Sequence, residues 1–127
     1  MKITIVIARF LLGLVFLTFG LNGFLHFIPA TLPSGTAGQF VGALFVSNYL
    51  VVVFLLQLVG AILLLTNRYV PLALTLLAPI IVNILLFHVL MALNGLALAL
   101  VVTVLWIVVF LSVRSAFAGL FQQRIAA

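Results

Sequence analysis

Polar side chains interrupt this sequence so seldom that their positions divide it into segments. From Ala8 to Pro29 the chain reads ARFLLGLVFLTFGLNGFLHFIP, an apolar run in which Thr18, Asn22 and His26 recur every fourth residue. In a helix that spacing stacks them on one face. Hydrocarbon satisfies neither an amide nor an imidazole, so this face is expected to meet other protein or enclosed water. Gly13 and Gly20, seven residues apart, permit close helix approach on a face of their own. Pro29 closes the segment, and the uncharged stretch ATLPSGTAGQ that follows is the one substantial loop.

The next apolar segment, Ala37 to Val46, stops at Ser47-Asn48-Tyr49. This predicts a short helix at the membrane interface, or dipping back into it, ahead of a longer helix from about Tyr49 to Thr66. A single tilted helix from Gln39 to Thr66 competes with that division. Gln57 falls near the middle of the longer helix, followed by Gly60. Asn67-Arg68-Tyr69 marks a tight turn, and Pro71 suits the first turn of a third helix reaching about Met91. Pro79 is expected to kink it by freeing the carbonyl of Thr75. His88 follows Asn83 by five residues, about 140° round an ideal helix, so the two share a face only if the helix is distorted. Asn94-Gly95 makes a minimal turn into a fourth helix, about Leu96 to Val113. In the tail, Phe117, Leu120, Phe121 and Ile125 keep helical spacing and predict a continuation along the membrane surface.

The expected fold is all-α: an integral membrane four-helix bundle with an additional short interfacial helix between spans 1 and 2. The spans are placed at about 8–28, 49–66, 70–91 and 96–113, with the interfacial helix at about 37–46, in a single transmembrane domain over 1–127. Composition agrees, since 69% of the 127 residues are hydrophobic and the mean hydropathy is +1.64. A helix needs about 20 apolar residues to cross the hydrocarbon core, which leaves room for about four spans and no separate soluble domain. A signal peptide would carry an apolar core of only about 7 to 15 residues before a small-residue cleavage site. The run after Arg9 is longer and lacks such a site, so it is taken as a mature span.

The chain contains no Asp or Glu and no Cys. That excludes a carboxylate proton relay, a calcium or magnesium site, a paired-carboxylate hydrolase and a Ser-His-Asp triad. It also excludes thiol–disulfide exchange and iron–sulfur ligation by the chain itself. The net charge of +5 comes from single basic residues at span ends, so nucleic acid is not an expected partner. With four spans, Lys2, Arg9, Arg68, Arg114 and Arg124 all fall on one side, and neither connection on the other side carries a Lys or Arg. The positive-inside rule then places both termini in the cytoplasm of a multi-pass cell-membrane protein.

Two stretches, ARFLLGLVFLTFGLNGFLHFIP and FLLQLVGAILLLTNRYVPLALTLLAPIIVNILLFHVLM, together resemble the DoxX-like family of small four-span membrane proteins over roughly half of the chain. The resemblance implies a four-span fold and an association with oxidoreductases, including thiosulfate:quinone oxidoreduction. Relatives often carry Glu in a second-span motif E-L-L-G-G, where this chain reads Gln57-Leu58-Val59-Gly60-Ala61. Any proton carried by that acid in relatives has no counterpart here.

The candidate ligand-binding residues are Asn22, His26, Gln57, Asn83 and His88. Both histidines are expected in the outer leaflet at similar depth, and if they face each other three uses are physical: bis-imidazole haem ligation, hydrogen bonding to a quinone carbonyl, or a soft metal site. The cofactor is left open, with quinone placed ahead of haem. Two histidines without an acid or thiol make a poor zinc site, so no metal is assigned. Phe19, Phe24, Phe27 and Phe87 are available as aromatic walls. The competing account is that all five polar residues hydrogen-bond across helices and set packing, each bond contributing roughly 0.6 kcal/mol. NGFLHF at Asn22 and NILLFH at Asn83 also hint at a parallel duplication. Two function classes follow. One is a quinone-associated or oxidoreductase-associated membrane subunit; the other is a non-enzymatic transport, scaffold or assembly protein. A stand-alone enzyme is not expected, because no nucleophile is paired with a base in sequence. The bilayer is the certain surrounding, with an oxidoreductase partner and a homo-oligomer as further expected associations.

Overall fold

The computed structural model describes residues 2–29 and 31–125. Among them there are five α-helices and no strand: α1 (Lys2–Leu25), α2 (Gly35–Val46), α3 (Tyr49–Leu65), α4 (Val70–Leu90) and α5 (Leu96–Val113). Short 3-10 turns at Leu93–Gly95 and Arg114–Phe121 flank α5. α1, α4 and α5 with its flanking turns are each long and apolar enough to cross a membrane, and α2 with α3 passes the same test as a bent pair.

Helix ends depart from expectation at α1. No breaker lies between Lys2 and Ala8, so the helix starts at Lys2, and it ends at Leu25, short of Pro29. A local cap stops it. The His26 amide donates to the Asn22 carbonyl at 2.8 Å, with His26 in the left-handed region at φ 53°, and the Ile28 amide donates to Asn22 Oδ1 at 2.7 Å. That is how a C-terminal cap satisfies late carbonyls while turning the chain away. His26 therefore leaves the helical face that Thr18 and Asn22 were expected to share with it.

Between α2 and α3 the chain turns by 83°, which excludes one continuous helix from Gln39 to Thr66. Asn48 provides the turn, with φ 63°, a conformation that Asn tolerates better than other branched residues. Two more left-handed residues, Asn67 (φ 55°) and Tyr69 (φ 50°), reverse the chain into α4, where the Arg68 amide donates to the Leu63 carbonyl at 3.0 Å. Pro71 sits in the first helical turn as expected, and α4 runs through Pro79 as one continuous element. The tail corrects a second expectation. It continues directly from α5, but as a tighter 3-10 helix over Arg114–Phe121, and Phe117 returns to the core and packs on Phe110 with ring centroids 5.0 Å apart.

α1 packs against α3 and α5, and α4 packs against the same two, while α2 touches the assembly chiefly through α3. Small residues bring the first pair together. A methyl group added at Gly13 would stand 2.9 Å from Leu65 Cδ2, and one at Gly20 would stand 2.9 Å from Leu58 Cδ2, so the paired glycines let the α3 leucines seat directly on the α1 backbone. The shared core consists of Leu12 and Phe16, Ala61 and Leu64, Leu74 and Leu77, and Val102 and Val109. Outward faces are equally apolar: Phe10 and Leu14, Leu55 and Ile62, Val82 and Leu86, and Val101 and Val104 are all exposed. Water would not tolerate that surface, whereas hydrocarbon matches it, and the protein is accordingly a membrane protein.

Candidate functional site

A cavity of about 560 Å³ lies among α2, α3 and α4. It exists because the 83° turn carries α2 across the groove between its neighbours, where Phe40 meets Phe87 of α4 at a centroid distance of 5.8 Å. α4 contributes Pro79, Ile80, Asn83, Ile84, Phe87 and His88. These form two adjacent helical rows, Pro79-Asn83-Phe87 and Ile80-Ile84-His88. Asn83 and His88 thus line one cavity without any distortion of α4, because the cavity is wide enough to take both rows.

Gln57 comes from α3, which contributes a broad face to the same cavity. It is the ninth of 17 residues in that helix, about 12 Å from either end. Among the described residues it is the only buried polar side chain, 7% exposed, and its Oε1 is buried without a hydrogen-bond partner. A buried amide without a partner costs about 1–3 kcal/mol, and the middle of an apolar helix offers no other polar side chain of α3 to relieve it.

The remaining polar lining has local bonds. Asn83 Nδ2 donates to the Pro79 carbonyl at 2.8 Å, and the exposed side chain keeps its Oδ1 free for other use. His88 Nδ1 lies 2.9 Å from the Ala92 carbonyl; that carbonyl can only accept, so Nδ1 is the donor of the pair. The imidazole lies over Gly95, where a Cβ would stand 2.1 Å from Cε1. Only a glycine there admits the ring. Phe87 holds it from the side, edge-on at 5.1 Å. Since α3 and α4 run in opposite directions, Tyr49 and His88 mark one end of the cavity and Gln57 and Pro79 the other. The polar groups are therefore staggered along it: Tyr49 and His88 at the mouth, Asn83 about 8 Å deeper, and Gln57 deeper again.

Of the five expected residues, the structure brings Gln57, Asn83 and His88 together. Asn22 and His26 do not line this cavity. Asn22 is occupied in capping α1, and His26 is exposed beyond the end of that helix. The pairing of His26 with His88 that haem ligation needs is not formed within the cavity, and the two Asn-to-His segments occupy unlike settings. Among the expected aromatics Phe87 is a wall, while Phe24 stands behind one, edge-on to Phe54 at 6.2 Å. Sequence reasoning missed Phe40, Phe54 and Tyr49. The only signal for them was the Ser47-Asn48 break, whose angle decides which way α2 turns. No family model, curated protein or solved structure matches the chain.

Proposed function

We propose that this protein is a four-span membrane bundle, with both termini cytoplasmic, that holds a lipid-soluble amphiphile of the quinone class in the α2–α3–α4 cavity. Its place would be that of a membrane subunit serving an oxidoreductase partner, the role implied by the resemblance to the DoxX-like family. One observation carries the assignment: the unpartnered Gln57 amide, nine-tenths buried, in the wall of a mainly apolar and aromatic cavity that Asn83 and His88 also line. About 560 Å³ falls within the common range for small-ligand sites, roughly 300–1,000 Å³. Phe40, Phe54 and Phe87 offer flat apolar walls to a ring. An amide offers either a donor or an acceptor by turning about its last bond, which suits both the carbonyl of a quinone and the hydroxyl of a quinol. With neither thiol nor carboxylate, the chain contributes binding and orientation, and electron transfer would belong to the partner.

The test is retention of a short-chain ubiquinone and a menaquinone by the protein in lipid nanodiscs, compared with empty discs. Wild type is expected to retain about one quinone per chain, and Gln57→Leu to weaken retention at least about tenfold, the equivalent of about 1.4 kcal/mol. Retention no greater than in empty discs, or unchanged by Gln57→Leu, would overturn the assignment. A second function class, a transport, scaffold or assembly protein without a ligand, is favoured by the Asn22 and Asn83 bonds, both of which serve their own helices. It gains if no quinone is retained.

A further inference from the structure

A second cavity, about 240 Å³, opens at the opposite end of α3 and α4 from the mouth of the first. Its wall joins the start of α1 (Lys2, Val6, Arg9), the turn before α4 (Asn67) and the end of α5 (Val109, Ser112). Two of the five basic residues, Lys2 and Arg9, line one concave site, and Arg68 and Arg114 adjoin its lining residues Asn67 and Val113 in sequence. No Asp or Glu exists in the chain to balance them.

Arg9 is half-buried and donates one guanidinium N–H to the Leu64 carbonyl near the end of α3. That bond pins the head group at the cavity and leaves most of its five donors unassigned. A half-withdrawn cation without a counter-ion is costly, and the cost falls if an anion is supplied from outside. Lys2 adds an ammonium and Asn67 a carboxamide, while the Ser112 hydroxyl is already committed to the Val109 carbonyl at 2.6 Å. Lys2, Arg9 and Asn67 thus line one recess, and Val6 and Val109 give it apolar lining of the kind that an acyl chain or glycerol backbone can lie against.

We infer that this cavity binds a phosphate group, with the guanidinium of Arg9 and the ammonium of Lys2 as its charge partners. Such a group reaches it either as the headgroup diester of an anionic phospholipid or as free phosphate. Basic recesses between spans on the cytoplasmic side are where anionic headgroups are recognised in general, and the site is independent of the quinone cavity.

Native mass spectrometry of the detergent-solubilised full chain, titrated with phosphatidylglycerol, phosphatidylcholine or inorganic phosphate, tests it. Phosphatidylglycerol is expected to be retained well above phosphatidylcholine, and Lys2→Gln, exposed at the start of α1 and safe for folding, to reduce that retention about fivefold. Arg124→Gln, which removes an equal charge outside the cavity, is expected to change nothing. Competition by millimolar inorganic phosphate would identify free phosphate as an alternative source of the bound group. Equal retention of both lipids with no uptake of phosphate would overturn the site, as would an equal loss in Lys2→Gln and Arg124→Gln, since diffuse charge would then explain the binding.

Discussion

On the side of the molecule built from α1 and α5, polar groups that approach the core find carbonyls: Arg9 donates to Leu64, Trp106 Nε1 to Leu74 at 3.0 Å, and Thr103 Oγ1 to Ala99 at 2.8 Å. On the α2 side, the most deeply buried polar side chain, Gln57, keeps its Oε1 unbonded beside a cavity. Both sides draw on the same apolar alphabet. The difference is one of contact: α3 leucines seat directly on α1 at Gly13 and Gly20, while the 83° turn carries α2 away from so close a fit on the second side. An unrelieved amide in the middle of an apolar helix is a local rule broken without a structural gain, and such positions are where function is expected.

The largest effect should come from the tightly packed seam between α3 and α4. Leu77 is fully buried against Gly60, where an added Cβ would stand 2.8 Å from Leu77 Cγ. Leu77→Ala should lower stability by about 2–5 kcal/mol, measured by reversible unfolding in mixed micelles. It should leave quinone retention per folded molecule unchanged, since Leu77 does not line the cavity. Gln57→Leu should move the two readouts in opposite directions. Replacing an unpartnered amide by a similar apolar volume should raise stability by about 1–3 kcal/mol while retention falls. A loss of stability instead would mean that the amide has a partner in the folded protein, and the contrast between the two sides would disappear. Trp106→Phe keeps the stacking on Phe110, where the rings lie 5.2 Å apart, but deletes the bond to Leu74. A loss of about 1 kcal/mol is expected, with no change in retention.

Element positions were legible from the sequence because each boundary carries its own chemistry. Asn48, Pro71 and the Asn94-Gly95 pair mark local backbone requirements, and the helices observed begin or end within a few residues of them. The end of α1 was misjudged by three residues because Pro29 was taken as the stop, whereas Asn22 already caps the helix. Of the site, the residue types were legible but their grouping was not. Gln57 and Asn83 fall on different helices, and His26 and His88 look equivalent in sequence; the direction of the turn at Asn48 brings α2 over α4, and the cap at Asn22 turns His26 away from α1. A bend angle is a tertiary outcome of packing at Phe40 and Phe87, and periodicity carries no information about it.

The smallest effect on stability is expected at Asn83, and it separates the two roles that a polar residue in this cavity could have. Its Nδ2 bonds the Pro79 carbonyl, which in an α-helix is already the acceptor for the backbone amide of residue 83 itself. Removing the side chain therefore leaves no orphaned carbonyl, and Asn83→Leu should change stability by no more than about 0.6 kcal/mol. If Asn83 also contacts the ligand, retention should fall by about threefold, the equivalent of one such bond. If retention stays at the wild-type level while Gln57→Leu abolishes it, the head of the ligand sits at mid-depth on Gln57 alone, and the mouth at Tyr49 and His88 serves for entry. His26→Ala is the control, since its side chain is exposed and outside the cavity. A loss of retention there equal to that of His88→Ala would place both histidines on the ligand and move the site away from α2.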